Sequence, residues 1–397
     1  MESTPSHLPS SILYPRRILL RGTNWLGDAV MTTPALLRLR EQFPDAHIAL
    51  LTPEKLKDLW IGHPAVNETV SFTSGESIFW VAKRIRQVGS SRRDDRTAQR
   101  AVPTPFDLAL VLPNSPRSAM ETWLAGIPRR IGYARPWRNW FLTQAVMPRA
   151  DATKMRKRPT AEIRQLISAN SKFKIQNSKF TPAAHQIHEY LHLVAALGAM
   201  PEPLPPQLFV STNEIEAAKK KFGLEQTMQP VFGLNPGAEY GPAKRWPIER
   251  FIAAAKEIQQ RTKCVWVILG GAGDMPITNQ IESGIQNSKF KIHNLAGRTS
   301  LRELMSLLKL CRVLLTNDSG PMHVAAALGT PVVVPFGSTS PELTGPGLPG
   351  DPRHRLLKSD APCSPCFLRA CPIDFRCMTG ISVDRVVEAV LNCSGDL

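Results

Sequence analysis

Apolar positions along this chain fall into two recurring patterns. Short unbroken runs, RILLR at 17–21, HIALLT at 47–52 and FDLALVLP at 106–113, alternate with stretches such as PALLRLREQF at 34–43, where apolar residues return every three or four positions. The runs read as buried strands and the periodic stretches as amphipathic helices. The same style resumes in PVFGLNPG (230–237), FIAAAKEIQQRT (251–262), CVWVILGG (264–271), LRELMSLLKLC (301–311), RVLLTND (312–318), MHVAAALG (322–329) and TPVVVPFG (330–337). Strand and helix in alternation predict an α/β protein whose parallel sheets are wrapped by helices, built twice over.

Between the two series lies ALGAMPEPLPPQ at 196–207, after the helix-like HEYLHLVAALG. Proline has a fixed φ and no amide donor, so this stretch ends the helix and bridges two domains, expected at 1–200 and 201–397. A length of 397 residues suits two such domains. The string IQNSKF occurs within 170–180 and again within 285–292. It is too short and isolated to be a structural repeat, and both copies read as polar surface insertions.

Composition narrows the class. Hydrophobic residues make up 43% and charged residues 21%, which is ordinary for a globular protein. No apolar run approaches the ~20 residues that span a bilayer, and the opening MESTPSHLPSSILYPRR lacks a basic start with a long apolar core, so the expectation is a cytoplasmic protein. Seven cysteines, with Cys264 and Cys311 isolated, predict reduced thiols rather than a disulfide framework. The net charge of +16 attracts anions: nucleic acid, an anionic membrane surface or a phosphorylated substrate. Basic residues gather at 82–100, 129–138 and 154–158. A nucleic-acid-binding protein is the alternative of a different class, but the chain has no reading helix, zinc finger or aromatic RNA-binding pattern.

Four stretches carry candidate chemistry. In RVLLTNDSGPMHVAAALG a strand ends in Asp318-Ser319-Gly320-Pro321 and a small-residue helix begins. Such a turn lies at the carboxyl end of a parallel sheet, where amides and the helix dipole suit a phosphate. The order Asp-Ser-Gly-Pro is also an ordinary helix start. In LNPGAEYGPAKRWPIERF a Gly/Pro loop carries Lys244 and Arg245, a point charge and a planar fork suited to a phosphate clamp. In LGGAGDMP, Asp274 follows a strand where an acid can accept ribose hydroxyls, or simply cap a helix. In RGTNWLGDAVM, Asp28 enters the first turn of a helix just behind a strand.

Together the words NWLGDAVMTTPAL, NPGAEYGPAKRWP, NDSGPMHVAAALG and CSPCFLRACP resemble glycosyltransferase family 9, the ADP-heptose:lipopolysaccharide heptosyltransferases, over about residues 16 to 392. The resemblance implies GT-B architecture, two Rossmann-like domains facing across a cleft, acceptor on the first and nucleotide-sugar donor on the second. It implies an inverting transferase moving L-glycero-D-manno-heptose from ADP-heptose onto the first heptose of the inner core, on a heptosylated Kdo-lipid A acceptor, with no cofactor required. A family enzyme acting at another core step, or with another nucleotide sugar, is the nearer alternative. By the same resemblance Asp28 is the general base, Lys244 and the turn Ser319, Gly320, Pro321, Met322 with His323 hold the diphosphate, Asp274 lies near the ribose, and Asp318 supports the donor site. NLAGRTSLREL (294–304) is expected near the adenine.

The acceptor is anionic and lipid-anchored, which directs attention to the loop RRIGYARPWRNWFLTQ at 129–144. Its Arg129, Arg130, Arg135 and Arg138 among Trp137, Trp140 and Phe141 suit the inner-leaflet membrane surface. Asn24, Trp25, Arg135 and Arg138 are the candidate acceptor contacts, and the protein is expected to be peripheral at the cytoplasmic face. Cys363, Cys366, Cys371 and Cys377 have a spacing that could supply four thiolates to zinc, although a reduced loop is the favoured reading and no metal is expected. His185, His188 and His192 share one helical face by spacing, without a zinc motif.

Overall fold

The computed structural model describes residues 14–88, 106–169, 181–286 and 291–395. The chain divides into two compact units, Met1–Ala150 with Ile187–Leu204, and Asp151–Gln186 with Pro205–Leu397. The crossing after Leu204 falls inside the proline-rich stretch. Of the described residues, 151–169 and 181–186 group with the second unit. The helix Thr160–Ser168 has one buried apolar residue, Ile163, which packs on Cys363 and Cys366. The Arg158 amide also donates to the Cys366 carbonyl at 3.0 Å. The pattern of 151–186 carries no sign of which core it joins.

The first unit holds a six-stranded sheet of β1 (Arg17–Arg21), β2 (His47–Pro53), β3 (Glu68–Phe72), β4 (Leu108–Val111), β5 (Arg129–Tyr133) and β6 (Gln144–Val146). Their order is β3-β2-β1-β4-β5-β6 and every neighbouring pair is parallel. Ile18, Leu19 and Leu20 are wholly buried, as a central strand covered on both faces requires. β5 corrects the reading of 129–144 as one loop: its first five residues are a strand. The cue was weak because Arg129 and Arg130, at a half-buried edge, interrupt the apolar run.

The second unit repeats the plan with β7 (Val231–Asn235), β8 (Val265–Ile268), β9 (Ile292–Asn294), β10 (Val313–Thr316), β11 (Val332–Phe336) and β12 (Arg355–Lys358). Their order, β12-β11-β10-β7-β8-β9, is the same Rossmann order read from the other edge, again all parallel. Its core joins Phe232, Trp246, Phe251 and Trp266 to the C-terminal helix Val383–Ser394 through Val386, Val387 and Val390. In each unit the strand order reverses at one place, between β1 and β4 and between β7 and β10. Ligands of such sheets gather beyond the strand ends there. Asp28 follows β1, the Lys244 loop follows β7 and Asp318 follows β10, so three of the four candidate stretches stand at switch points. The IQNSKF copy at 170–180, and residues 287–290 of the other, lie outside the described residues.

Candidate functional site

In the second unit, β7 runs out at Asn235 and β10 at Thr316, side by side in register. The Asn235 amide donates to the Thr316 hydroxyl at 3.1 Å and to the Ser319 hydroxyl at 3.2 Å. One residue on, the Asn317 side chain donates to the Pro236 carbonyl at 2.6 Å and accepts from the Trp246 amide at 2.9 Å. Two asparagines thus stitch the two loops together. Trp246 is buried, stacks edge-on against Phe251 at 5.1 Å and donates its indole N–H to the Ile381 carbonyl at 3.1 Å. The far end of the lysine loop is thereby anchored in the core.

Lys244 closes a short turn, Pro242–Lys244, and its Nζ lies 2.6 Å from Asp318 Oδ2, with only 14% and 5% of the two side chains exposed. The Thr339 hydroxyl, behind β11, donates to the same Asp318 oxygen at 2.5 Å. An ammonium has three donors, so the Asp318 contact, with the centre of the Tyr240 ring 5.0 Å from Nζ, fixes Lys244 in direction while donor capacity remains for a ligand. The helix Gly320–Ala327 begins beside this pair with Ser319 at its cap position, but no side chain caps it. The Ser319 hydroxyl is taken up by Asn235 instead, which leaves the helix N-terminus as an electropositive end. His323 lies in the first turn, buried, and burial pushes its pKa down to about 4, with His185 and Lys244 adding to the effect and Asp318 opposing it. It is therefore a neutral imidazole.

Asp274 accepts the Gly271 amide at 3.0 Å, the capping reading of this residue. It also crowds Gly237, where an added Cβ would lie 2.4 Å from Asp274 Oδ2, so the β8 loop touches the β7 loop. Arg245 donates to the Ala238 carbonyl at 3.3 Å and stands 3.9 Å from Asp274. The structure therefore brings Lys244, Arg245, Asp274, Asp318, Ser319 and His323 together beyond the carboxyl ends of the central strands of the second sheet. Asn235, Asn317 and Thr339 complete it and were not singled out from the sequence. Asn235 and Asn317 belong to the stretches NPGAEYGPAKRWP and NDSGPMHVAAALG, whereas Thr339 has only its place behind a strand to mark it.

In the first unit, Asp28 is half-buried in the first turn of the helix Leu26–Met31, and Trp25 at the cap position makes no side-chain cap. Asn24 is exposed but held, since Arg21 Nη1 donates to its Oδ1 at 3.1 Å. Trp25 is 51% exposed, with Lys55 Nζ 5.2 Å from its ring. Arg135 is half-buried, donates to the Ala134 carbonyl at 3.0 Å and lies over Tyr133. Arg138 departs from its expected role as an acceptor contact, being fully buried. It donates to Asn114 Oδ1 at 3.2 Å and to the Val111 carbonyl at 3.3 Å, and presses on Gly132, where no Cβ fits. Burial, then the charge of Arg135, brings its pKa down to about 10.

The four closely spaced cysteines come together, whereas the three histidines do not share one helix. Cys363, Cys366, Cys371 and Cys377 line one cavity of about 10 Å³, and all seven cysteines are free. Burial first, then one another's charge, pushes the Cys377 thiol up to about 12. Among the described residues no group of three or more ligating side chains is set to hold a metal ion. His185 is not on the helix with His188 and His192, because Ile187–Ala195 starts after it. His185 contacts the Gly345 carbonyl at 3.0 Å in the second unit, whereas His192 meets the Tyr133 hydroxyl at 3.0 Å in the first.

Residues 141–375 match the sequence pattern of glycosyltransferase family 9 (heptosyltransferase). The chain is 32% identical over 332 residues to lipopolysaccharide heptosyltransferase 2 of Salmonella typhimurium, covering 83% of this chain and 85% of that one. Lipopolysaccharide heptosyltransferase 1 of Pseudomonas aeruginosa is 24% identical over 364 residues, 89% and 87% of the two chains. The solved structure of Escherichia coli ADP-heptose LPS heptosyltransferase II overlays with a TM-score of 0.72 at 27% identity, over 95% of this chain and 98% of that one. With its paired Rossmann-like units of GT-B type and a basic, amide-rich turn at the second switch point, the chain belongs to glycosyltransferase family 9, the heptosyltransferases.

Proposed function

We propose that this enzyme transfers L-glycero-D-manno-heptose, with inversion, from ADP-heptose to the first heptose of the lipopolysaccharide inner core. The observation that carries the donor half is the Lys244–Asp318 pair beside an uncapped helix start. The choice of core step rests on 32% identity to a heptosyltransferase 2 against 24% to a heptosyltransferase 1. As the acceptor hydroxyl forms its bond to the anomeric carbon, the bond from that carbon to the ADP oxygen breaks. Negative charge then grows on the leaving diphosphate, where Lys244, Arg245 and the turn Ser319–His323 stabilise it. Asp28 takes the proton from the attacking hydroxyl. The charge of Lys244 serves the diphosphate directly, so this reading needs no cofactor.

The acceptor is lipid-anchored, and the reading therefore places the enzyme at the cytoplasmic face of the membrane as a peripheral protein. Among the described residues no helix is long and apolar enough to cross it. Trp137 and Trp140, 81% and 85% exposed, supply the aromatic contact. Incubation with ADP-heptose and a panel of truncated core acceptors, read by mass, tests the step: one heptose gained only on the singly heptosylated acceptor is expected. A gain on the heptose-free acceptor would reassign the enzyme to the preceding step. Binding to anionic vesicles that is lost in Trp137→Ser/Trp140→Ser supports the membrane contact, and equal binding by both proteins counts against it.

A further inference from the structure

The loop Gly22–Trp25, which leads into the helix of Asp28, is held by a buried ion pair. Arg21 is the last residue of β1, and its side chain is 3% exposed, while Glu121, in the helix Pro116–Leu124, is wholly buried. Arg21 Nε donates to Glu121 Oε2 at 2.8 Å, and Arg21 Nη1 donates to the Gly22 carbonyl at 2.6 Å and to Asn24 Oδ1 at 3.1 Å. The other Glu121 oxygen accepts from Arg117 Nε at 3.0 Å, and the Arg21 guanidinium lies 4.4 Å from the centre of the Phe72 ring. One planar fork therefore reads Glu121 on one side and two points of the loop, the Gly22 carbonyl and the Asn24 side chain, on the other. The backbone is pinned from both neighbouring strands: the Gly22 amide donates to the Leu51 carbonyl at 2.8 Å and the Leu112 amide to the Arg21 carbonyl at 3.1 Å. No side chain caps the helix that follows, and its first turn is joined to the loop by the Ala29 amide, which donates to the Trp25 carbonyl at 2.9 Å.

We infer that Arg21 and Glu121 are positioning residues for heptosyl transfer, acting through the loop Gly22–Trp25 to set the place of the Asp28 carboxylate. The inference rests on the reading of Asp28 as general base. Burying an ion pair brings no dependable gain in stability, since well-packed apolar residues of similar volume commonly serve as well. What the pair supplies here is direction: a methionine in place of Arg21 fills the space over Phe72 but has no donor for Gly22 or Asn24. A displacement of about 1 Å at a reacting group is enough to cost on the order of a hundredfold in rate.

The test is the double variant Arg21→Met/Glu121→Leu, which removes both charges and keeps the volume, compared with Asp28→Asn and wild type. We expect a melting temperature near that of wild type, an unchanged KM for ADP-heptose, and a kcat about ten- to a hundredfold lower. Wild-type kcat in a folded double variant overturns the inference. Arg21→Lys, which keeps the charge but not the fork, gives an independent answer if the double variant melts early: kcat about tenfold down at wild-type stability is expected, and full activity overturns it. The two readings fail separately. Should Asp28→Asn turn over normally, the general-base reading is lost; should only Asp28→Asn be impaired, the positioning role alone is lost.

Discussion

At the scale of single residues, Asp28 and Lys244 carry the sharpest expectations. Asp28 has two readings, a charge that suits a helix N-terminus, worth about 0.3 to 1 kcal/mol, and a general base. Asp28→Asn separates them: as base, its loss lowers kcat by ~100-fold or more while fold and ADP affinity hold. Turnover within a few-fold of wild type at saturating substrates would assign the carboxylate to the helix alone. Lys244 is aimed by Asp318, and through it by Thr339. Lys244→Ala should weaken the thermal protection given by ADP by about 1.5 to 3 kcal/mol, the range of a charge-assisted hydrogen bond. Equal protection of mutant and wild type by subsaturating ADP counts against the clamp.

At the scale of elements, the turn that carries Lys244 is braced by the cysteine-bearing segment. The Ala243 amide donates to the Arg369 carbonyl at 2.9 Å and the Tyr240 hydroxyl to the Phe367 carbonyl at 2.8 Å. Gly241 between them has a φ of 151°, and an added Cβ would lie 2.5 Å from the Arg369 carbonyl oxygen. A side chain there is strained and collides with backbone, so the turn must shift. Gly241→Ala should cost about 1 to 3 kcal/mol of stability and raise the Kd for ADP, read by calorimetry. Unaltered ADP binding would show that the turn does not depend on this brace. Cys363 and Cys366 of the same segment pack on Ile163 of the helix Thr160–Ser168.

At the scale of the whole molecule, three buried histidines set the response to acid. Burial pushes His63, His323 and His354 each down to about 4. An unfolded chain protonates its histidines near 6.5, so between about 6.5 and 4 the unfolded state binds more protons than the folded one. The stability owed to these neutral rings is complete above the unfolded pKa and is lost as pH falls through that window. Both units should feel it, His63 in the first and His323 with His354 in the second. Melting temperature followed from about pH 7 to about pH 4 should fall through the window, and a flat profile would mean that the rings take protons without unfolding.

The local pattern along the chain was enough to specify the alternation of strands and helices and the strand-end turns at Asp28, Lys244 and Asp318. Each of these is a property of neighbours in sequence: an apolar run, a proline, a small residue before a helix. The four ordered words added the family, because their combination is far more specific than any one turn. Tertiary structure alone decided which distant residues meet. It placed 151–169 with the second unit, buried Arg138 against Gly132, took His185 off the helix of His192, and paired Arg21 with Glu121 a hundred positions away. A charged residue in a mixed stretch reads the same whether it faces water or a partner across the sheet. Only the fold, which buries Glu121 and brings Arg21 from the end of β1 to it, shows that Glu121 has no water to face.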